Sequence, residues 1–151
     1  MYVRTFQVTD FPKLIKLAET MASESPYFKG SEIDKIKVTR LGYEIITSGS
    51  AYCGFVALEN ARIIGFFIGY CIEAFFSSQR IASDLALYVP QDERGGRAAI
   101  ALIRRFEAWA KERGAQKITL GISTGITVDR TEQLYNRLGF ETTGRLCQKS
   151  T

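Results

Sequence analysis

The densest chemistry in the chain lies at residues 85–99. A strand-like run, Leu85-Ala86-Leu87-Tyr88-Val89-Pro90, turns through Gln91-Asp92-Glu93 into Arg94-Gly95-Gly96-Arg97-Ala98-Ala99, and a helical run follows as far as Arg113. A glycine-rich entry into a helix leaves backbone N–H groups without intrahelical acceptors, and the helix dipole adds partial positive charge there. Arg94 and Arg97 bring two formal positive charges to the same corner. A phosphate or pyrophosphate is the ligand that such a corner suits.

The rest of the composition limits what could happen beside that anion. The 151 residues contain no histidine, which removes Ser-His-Asp and Cys-His catalysis and every histidine-bearing metal site. What remains is carboxylates, tyrosine, lysine, backbone dipoles or the cofactor itself. Cys53, Cys71 and Cys147 are far apart and form no Cys-x-x-Cys pair. They read as small core residues of a reducing compartment, not as a disulfide frame or metal site. A net charge of +4 and a pI near 9.0 fit an anionic ligand but do not demand nucleic acid. No apolar run approaches the ~20 residues of a membrane span. The N-terminus lacks the layout of a signal peptide, so the expected location is cytoplasmic.

The elements that must position the corner follow from periodicity and punctuation. Residues 2–8 alternate as an edge-type strand; Thr9 or Asp10 caps a helix with Pro12 in its first turn and Leu14, Leu17, Ala18 and Met21 on one face. After a loop carrying Tyr27 and Phe28, a second helix covers 34–47 and stops at Ser48-Gly49-Ser50. Strands over 53–59 and 63–73 are joined closely enough to form an antiparallel hairpin, and a third strand covers 82–89. The helix over 96–113 places Leu102, Ile103, Phe106 and Trp109 on one face and ends at Gly114. A buried strand at 117–122, a polar loop, a helix over 130–138 and two short strands at 140–143 and 145–148 complete the chain.

The resulting order is β-α-α-β-β-β-α-β-α-β-β, an α/β chain expected to form one domain over residues 1–151. Its strands at 82–89 and 117–122 flank a helix and should be parallel, and the other pairs antiparallel. That is a mixed sheet with helices on both faces.

Two familiar phosphate-binding patterns are absent. There is no Gly-Lys pair for a P-loop, and Gly95-Gly96 does not supply Gly-x-Gly-x-x-Gly near an N-terminal strand. The strand Leu87-Tyr88-Val89-Pro90, then Arg94-Gly95, the helix end Trp109-Ala110-Lys111-Glu112-Arg113-Gly114 and Leu134-Tyr135-Asn136-Arg137-Leu138-Gly139-Phe140 together resemble the GNAT superfamily of N-acetyltransferases. The likeness extends to the element order of the whole chain. The superfamily's pyrophosphate pattern is [Gln/Arg]-x-x-Gly-x-[Gly/Ala]; read at Asp92, Gly95 and Arg97, only the middle position fits, with Arg97 where a small residue is usual.

The resemblance implies an acetyl-CoA co-substrate and no metal. Backbone groups of Leu87, Tyr88 and Val89 would bind the pantetheine arm like an added strand, and the N–H groups of Arg94, Gly95, Gly96, Arg97, Ala98 and Ala99 would hold the pyrophosphate. Tyr135 matches the tyrosine that returns a proton to the departing thiolate. The superfamily's asparagine upstream of this helix falls at Val128, so its contact is missing or comes from Ser123, Thr124 or Thr127.

The acceptor implied is a primary amine of a small molecule or protein, which must lose a proton. Asp84 and Glu73 are the candidate bases. Regular alternation would put Asp84, Ala86 and Tyr88 on one strand face. The resemblance also admits a homodimer. Two other readings remain: a non-catalytic acyl-CoA-binding regulatory module, and an acetyltransferase acting on charged tRNA or a ribosomal protein.

Overall fold

The computed structural model describes residues 1–47, 51–122, 124–144 and 146–149; the expected helix stop at Ser48-Gly49-Ser50 and the candidate Ser123 lie outside them. Its elements are β1 (Tyr2–Thr5), α1 (Phe11–Glu24), α2 (Lys35–Thr47), β2 (Tyr52–Glu59), β3 (Arg62–Glu73), β4 (Arg80–Tyr88), α3 (Ala98–Glu112), β5 (Lys117–Thr119) and α4 (Val128–Arg137). The sheet order is β1-β2-β3-β4-β5, antiparallel throughout except for the parallel β4–β5 pair. The mixed sheet expected from the sequence is therefore present.

Local chemistry explains most of the boundaries. β1 is shorter than its alternation suggested because the chain turns into a 3₁₀ turn at Val8–Asp10. Asp10 occupies the N-cap position of α1 but makes no capping hydrogen bond from its side chain. Its carboxylate instead takes both Arg4 guanidinium nitrogens, at 2.7 and 2.9 Å, and the Gln7 N–H at 2.8 Å. β2 and β3 are joined by Asn60 and Ala61, both with positive φ (48° and 62°), the two-residue turn whose twist matches a hairpin.

The two strands expected at 140–143 and 145–148 are not formed by the described residues. α4 ends instead in a Schellman closure, with Gly139 at φ +93° donating to Asn136 and Phe140 donating to Tyr135. The Phe140 ring then packs on the Tyr135 ring, 6.1 Å between centroids, and Thr142 bonds back to Glu132. Residues 141–144 are polar and exposed, and are drawn to α4 rather than to a sheet edge.

The sheet is packed on both faces. On one, Phe55, Phe67, Ala82 and Val89 meet Leu102, Phe106 and Trp109 of α3; on the other, Val56, Phe66 and Tyr88 meet Phe6, Phe11, Leu14, Leu17 and Ile45 beside α1 and α2. Each fully buried Phe or Leu stabilises by about 1.5–3 kcal/mol, so β2, β3 and the middle of β4 form the rigid part of the molecule. β5 pairs through only three residues. No helix among the described residues is long and apolar enough to cross a membrane.

Candidate active site

The cleft begins where β5 leaves β4. Their ladder runs Ile81–Lys117, Ala82–Ile118 and Ser83–Thr119 and then stops, which is why β5 is shorter than the run at 117–122 predicts. Beyond it the strands diverge around an open cleft. One wall is β4 and its continuation, with Asp84, Leu87, Tyr88 and Val89; the other is Gly121, Ile122, Thr124 and the α4 residues Leu134 and Tyr135. Arg94, Gly95, Gly96 and Ala99 close one end, with Arg130 reaching over from α4.

At the point of divergence the ladder is replaced by side chains. Asp84 Oδ1 accepts the Gly121 N–H at 2.7 Å, and the Tyr135 hydroxyl donates to the Gly121 carbonyl at 3.2 Å. Burial pushes the Asp84 carboxyl above the usual carboxylate range, only partly offset by the Gly121 N–H. Burial, and next the charge of Asp84, raise the Tyr135 hydroxyl well above an ordinary phenol. Tyr135 is therefore a protonated donor at neutral pH, and Asp84 a carboxylate predisposed to take up a proton.

The face predicted for Asp84 needs correction. β3 and β4 pair Ile68 with Ala86 but Gly69 with Asp84, so Leu85 is an extra, bulged residue. Ala86 and Tyr88 consequently pack on the α1–α2 side. Gly69, opposite Asp84, is directed at α3: a Cβ built there would lie 2.7 Å from the Phe106 ring. Asp84 and Tyr88 thus occupy opposite faces of β4, although both border the cleft.

The loop expected to hold an anion joins the end of β4 to α3. Gly95 has φ +90°, a conformation that favours glycine. The Arg94 N–H is spent on Gln91, and the next N–H with a backbone acceptor is that of Ala101, bonded to Arg97 at 2.9 Å. Among the described residues, the N–H groups of Gly95, Gly96, Arg97, Ala98, Ala99 and Ile100 have no backbone acceptor. Ala98 itself is buried in the α3 core, so its contribution is confined to the backbone. Arg97 occupies the α3 N-cap position, exposed, beside the cleft rather than within its lining. The residues present therefore fit a pyrophosphate-bearing cofactor.

Three placements differ from expectation or escaped it. Glu73 is exposed and pairs with Arg80 at the opposite end of β4, away from the cleft lining. Arg94 does not extend towards a phosphate: Nε donates to the Val89 carbonyl at 2.8 Å, Nη2 bonds Glu24, and the guanidinium lies 5.7 Å from the Tyr88 ring centroid. Arg130 takes its place near the ligand loop, with Nη2 3.0 Å from where a Gly95 Cβ would be. Neither Glu24 nor Arg130 carried a local sequence signal, because their partners lie 35 or more residues away. Of the alternatives for the missing asparagine contact, Thr124 and Thr127 border the cleft.

The acetyltransferase (GNAT) family profile matches residues 17–140. Solved structures with the same fold include a ribosomal-protein-alanine N-acetyltransferase from Brucella melitensis biovar Abortus 2308, at 18% identity, TM-score 0.73, covering 100% of each chain. Another is a predicted acetyltransferase with acetyl-CoA from Clostridium acetobutylicum, at 20% identity and TM-score 0.72, covering 98% of this chain and 94% of that one. A third is an aminoglycoside antibiotic 6'-N-acetyltransferase from Acinetobacter haemolyticus, at 14% identity and TM-score 0.75, covering 100% of this chain and 98% of that one. Among curated protein sequences none matches. Family profile and architecture agree with what the strand–loop–helix corner and the α4 tyrosine implied: the chain belongs to the GNAT family of acetyltransferases.

Proposed function

We propose that the protein transfers an acetyl group from acetyl-CoA directly to a primary amine of a small molecule or protein, with no acyl-enzyme. The observation that carries this reading is the junction at Gly121, where a carboxylate of raised pKa and a protonated phenol flank the residue at which β4 and β5 part. Bound acetyl-CoA supplies the acetyl group and a thiolate leaving group. Asp84, directly or through a water, takes the proton from the attacking amine; Tyr135 gives its O–H proton to the departing sulfur. The N–H groups of residues 95–99 hold the pyrophosphate, and Arg130 and Arg97 add positive charge beside it. The backbone edge at Leu87, Tyr88 and Val89, which is not paired with β5, receives the pantetheine arm.

Two of the structural neighbours are named for amine acceptors, a ribosomal-protein alanine and an aminoglycoside, which supports the amine class. The pI near 9.0 keeps a ribosomal-protein or charged-tRNA acceptor as the second reading. Thiol release with a panel of amines, peptides and ribosomal proteins tests the activity, alongside thermal stabilisation by acetyl-CoA. Binding without transfer to any of them would make the protein a regulatory acyl-CoA module instead. No stabilisation at millimolar acetyl-CoA would reject both.

A further inference from the structure

Glu24 ends α1 outside the cleft lining, yet it holds one of the cleft's walls. One carboxylate oxygen accepts the Tyr88 hydroxyl at 2.6 Å, and the other is paired with Arg94 Nη2. The side chains of Arg94 and Glu24 are 18% and 23% exposed, so separating them would strand charge in a largely shielded place. Arg94 is fixed at a third point by the Val89 carbonyl and immediately precedes Gly95, whose N–H has no backbone acceptor among the described residues.

The adjoining residue reaches the opposite wall. Ser25 is fully buried, and its hydroxyl donates to the Thr124 carbonyl at 2.5 Å. The same oxygen accepts the N–H groups of Tyr27 and Phe28, at 3.2 and 3.3 Å, and the Ser25 carbonyl accepts that of Lys29 at 3.0 Å. The Tyr27 ring also lies against Gly125. Two consecutive residues therefore connect both walls of the cleft to the segment between α1 and α2, whose Tyr27 and Phe28 are exposed.

We propose that Glu24 is a positioning residue that couples the cofactor loop to the segment at 26–34, so that occupation of the cleft orders that segment for the acceptor. The coupling rests on the reading that the cleft takes acetyl-CoA. A ligand that steadies residues 95–99 also steadies Arg94; the ion pair passes that restraint to Glu24, and the peptide link to Ser25 passes it to the turn. Glu24 lies outside the cleft lining, and its effect runs through Arg94 and Tyr88.

Hydrogen exchange of the whole chain, with and without acetyl-CoA, tests the coupling. In the wild type, acetyl-CoA should slow exchange of the amides of Tyr27, Phe28 and Lys29 several-fold. Glu24→Gln keeps an acceptor for the Tyr88 hydroxyl but removes the charge facing Arg94; it should still be thermally stabilised by acetyl-CoA while losing that ligand-dependent protection. Should Glu24→Gln fail to fold, Ser25→Ala cuts the next link and is expected to bind without protecting the segment. Wild-type-like protection in the folded variant overturns the proposal, as does wild-type binding with no protection at 27–29. Absence of acetyl-CoA binding by the wild type overturns the cofactor reading itself, and the coupling with it.

Discussion

Asp84 and Tyr135, 51 positions apart in the sequence, bond to opposite sides of one residue, Gly121: the carboxylate takes its N–H and the phenol its carbonyl. Neither bond belongs to the β ladder. Together they fix how far β4 and β5 stand apart at the place where the ladder ends, and they bring a carboxylate and a phenol into one small volume.

Removing the Tyr135 hydroxyl should separate chemistry from binding. Tyr135→Phe keeps the ring packed on Phe140 and forfeits only the bond to Gly121. We expect kcat to fall by about 10²–10⁴-fold, the usual contribution of a positioned proton donor, with acetyl-CoA affinity nearly unchanged. Steady-state kinetics of thiol release measures both; wild-type turnover would remove Tyr135 as the acid.

The base is tested by its pH dependence. Burial raises the Asp84 pKa, so its deprotonated, proton-accepting form is lost at a higher pH than for an ordinary carboxylate as the solution is acidified. kcat/KM should therefore fall on the acid side with a midpoint above the usual ~4. Asp84→Asn should be slow and lack that acid limb, while Glu73→Gln, at the end of β3 and away from the cleft, should retain it. The reverse result would exchange the roles of the two residues.

The anion corner can be weakened at two points. Gly95→Ala places a Cβ on a residue with φ +90°, and Arg130→Ala removes the guanidinium above it. Each should weaken acetyl-CoA binding by roughly tenfold or more, the scale of one charge-assisted hydrogen bond. Only Arg130→Ala should also flatten the salt dependence of binding. Calorimetric titration at two ionic strengths distinguishes them, and a fully retained affinity in Arg130→Ala would leave the phosphate to backbone N–H groups and Arg97.

Away from the site, Asp10 links stability to pH. Burial opposes its charge, but the Arg4 guanidinium and the Gln7 N–H outweigh that and hold its pKa below the ordinary value. Its contribution is therefore complete above the unfolded carboxylate pKa and is lost as pH falls through the lowered one. Asp10→Asn should cost about 1.5–3 kcal/mol near neutral pH, and the deficit should shrink in acid. Denaturant unfolding at pH 7 and pH 3 measures it; an equal deficit at both would assign the effect to shape instead of charge.

Contiguous patterns were legible in the sequence. The apolar face of α3, the hairpin at Asn60-Ala61 and the glycine entry at Gly95 all follow from neighbours within a turn or two. What depended on distant partners was not. Alternation along β4 misplaced Asp84 because a bulge at Leu85 is set by pairing with Ile68 and Gly69, which leave no mark in residues 84–86. The closing strands failed for a similar reason: the bond from Phe140 to Tyr135 and that from Thr142 to Glu132 draw the chain back to α4. The Glu24–Arg94 pair spans 70 residues, and no motif announces it.

The bulge at Leu85 also divides the labour of a single strand. Up to Asp84, β4 is in step with the α3 side of the sheet; from Ala86 onward its phase is reversed and answers to α1 and α2. The one residue of slack lets the strand satisfy two cores whose spacings need not agree. It also leaves Leu85 46% exposed beside the proposed base. That side chain belongs to neither buried cluster, so a substitution there should disturb the two cores little.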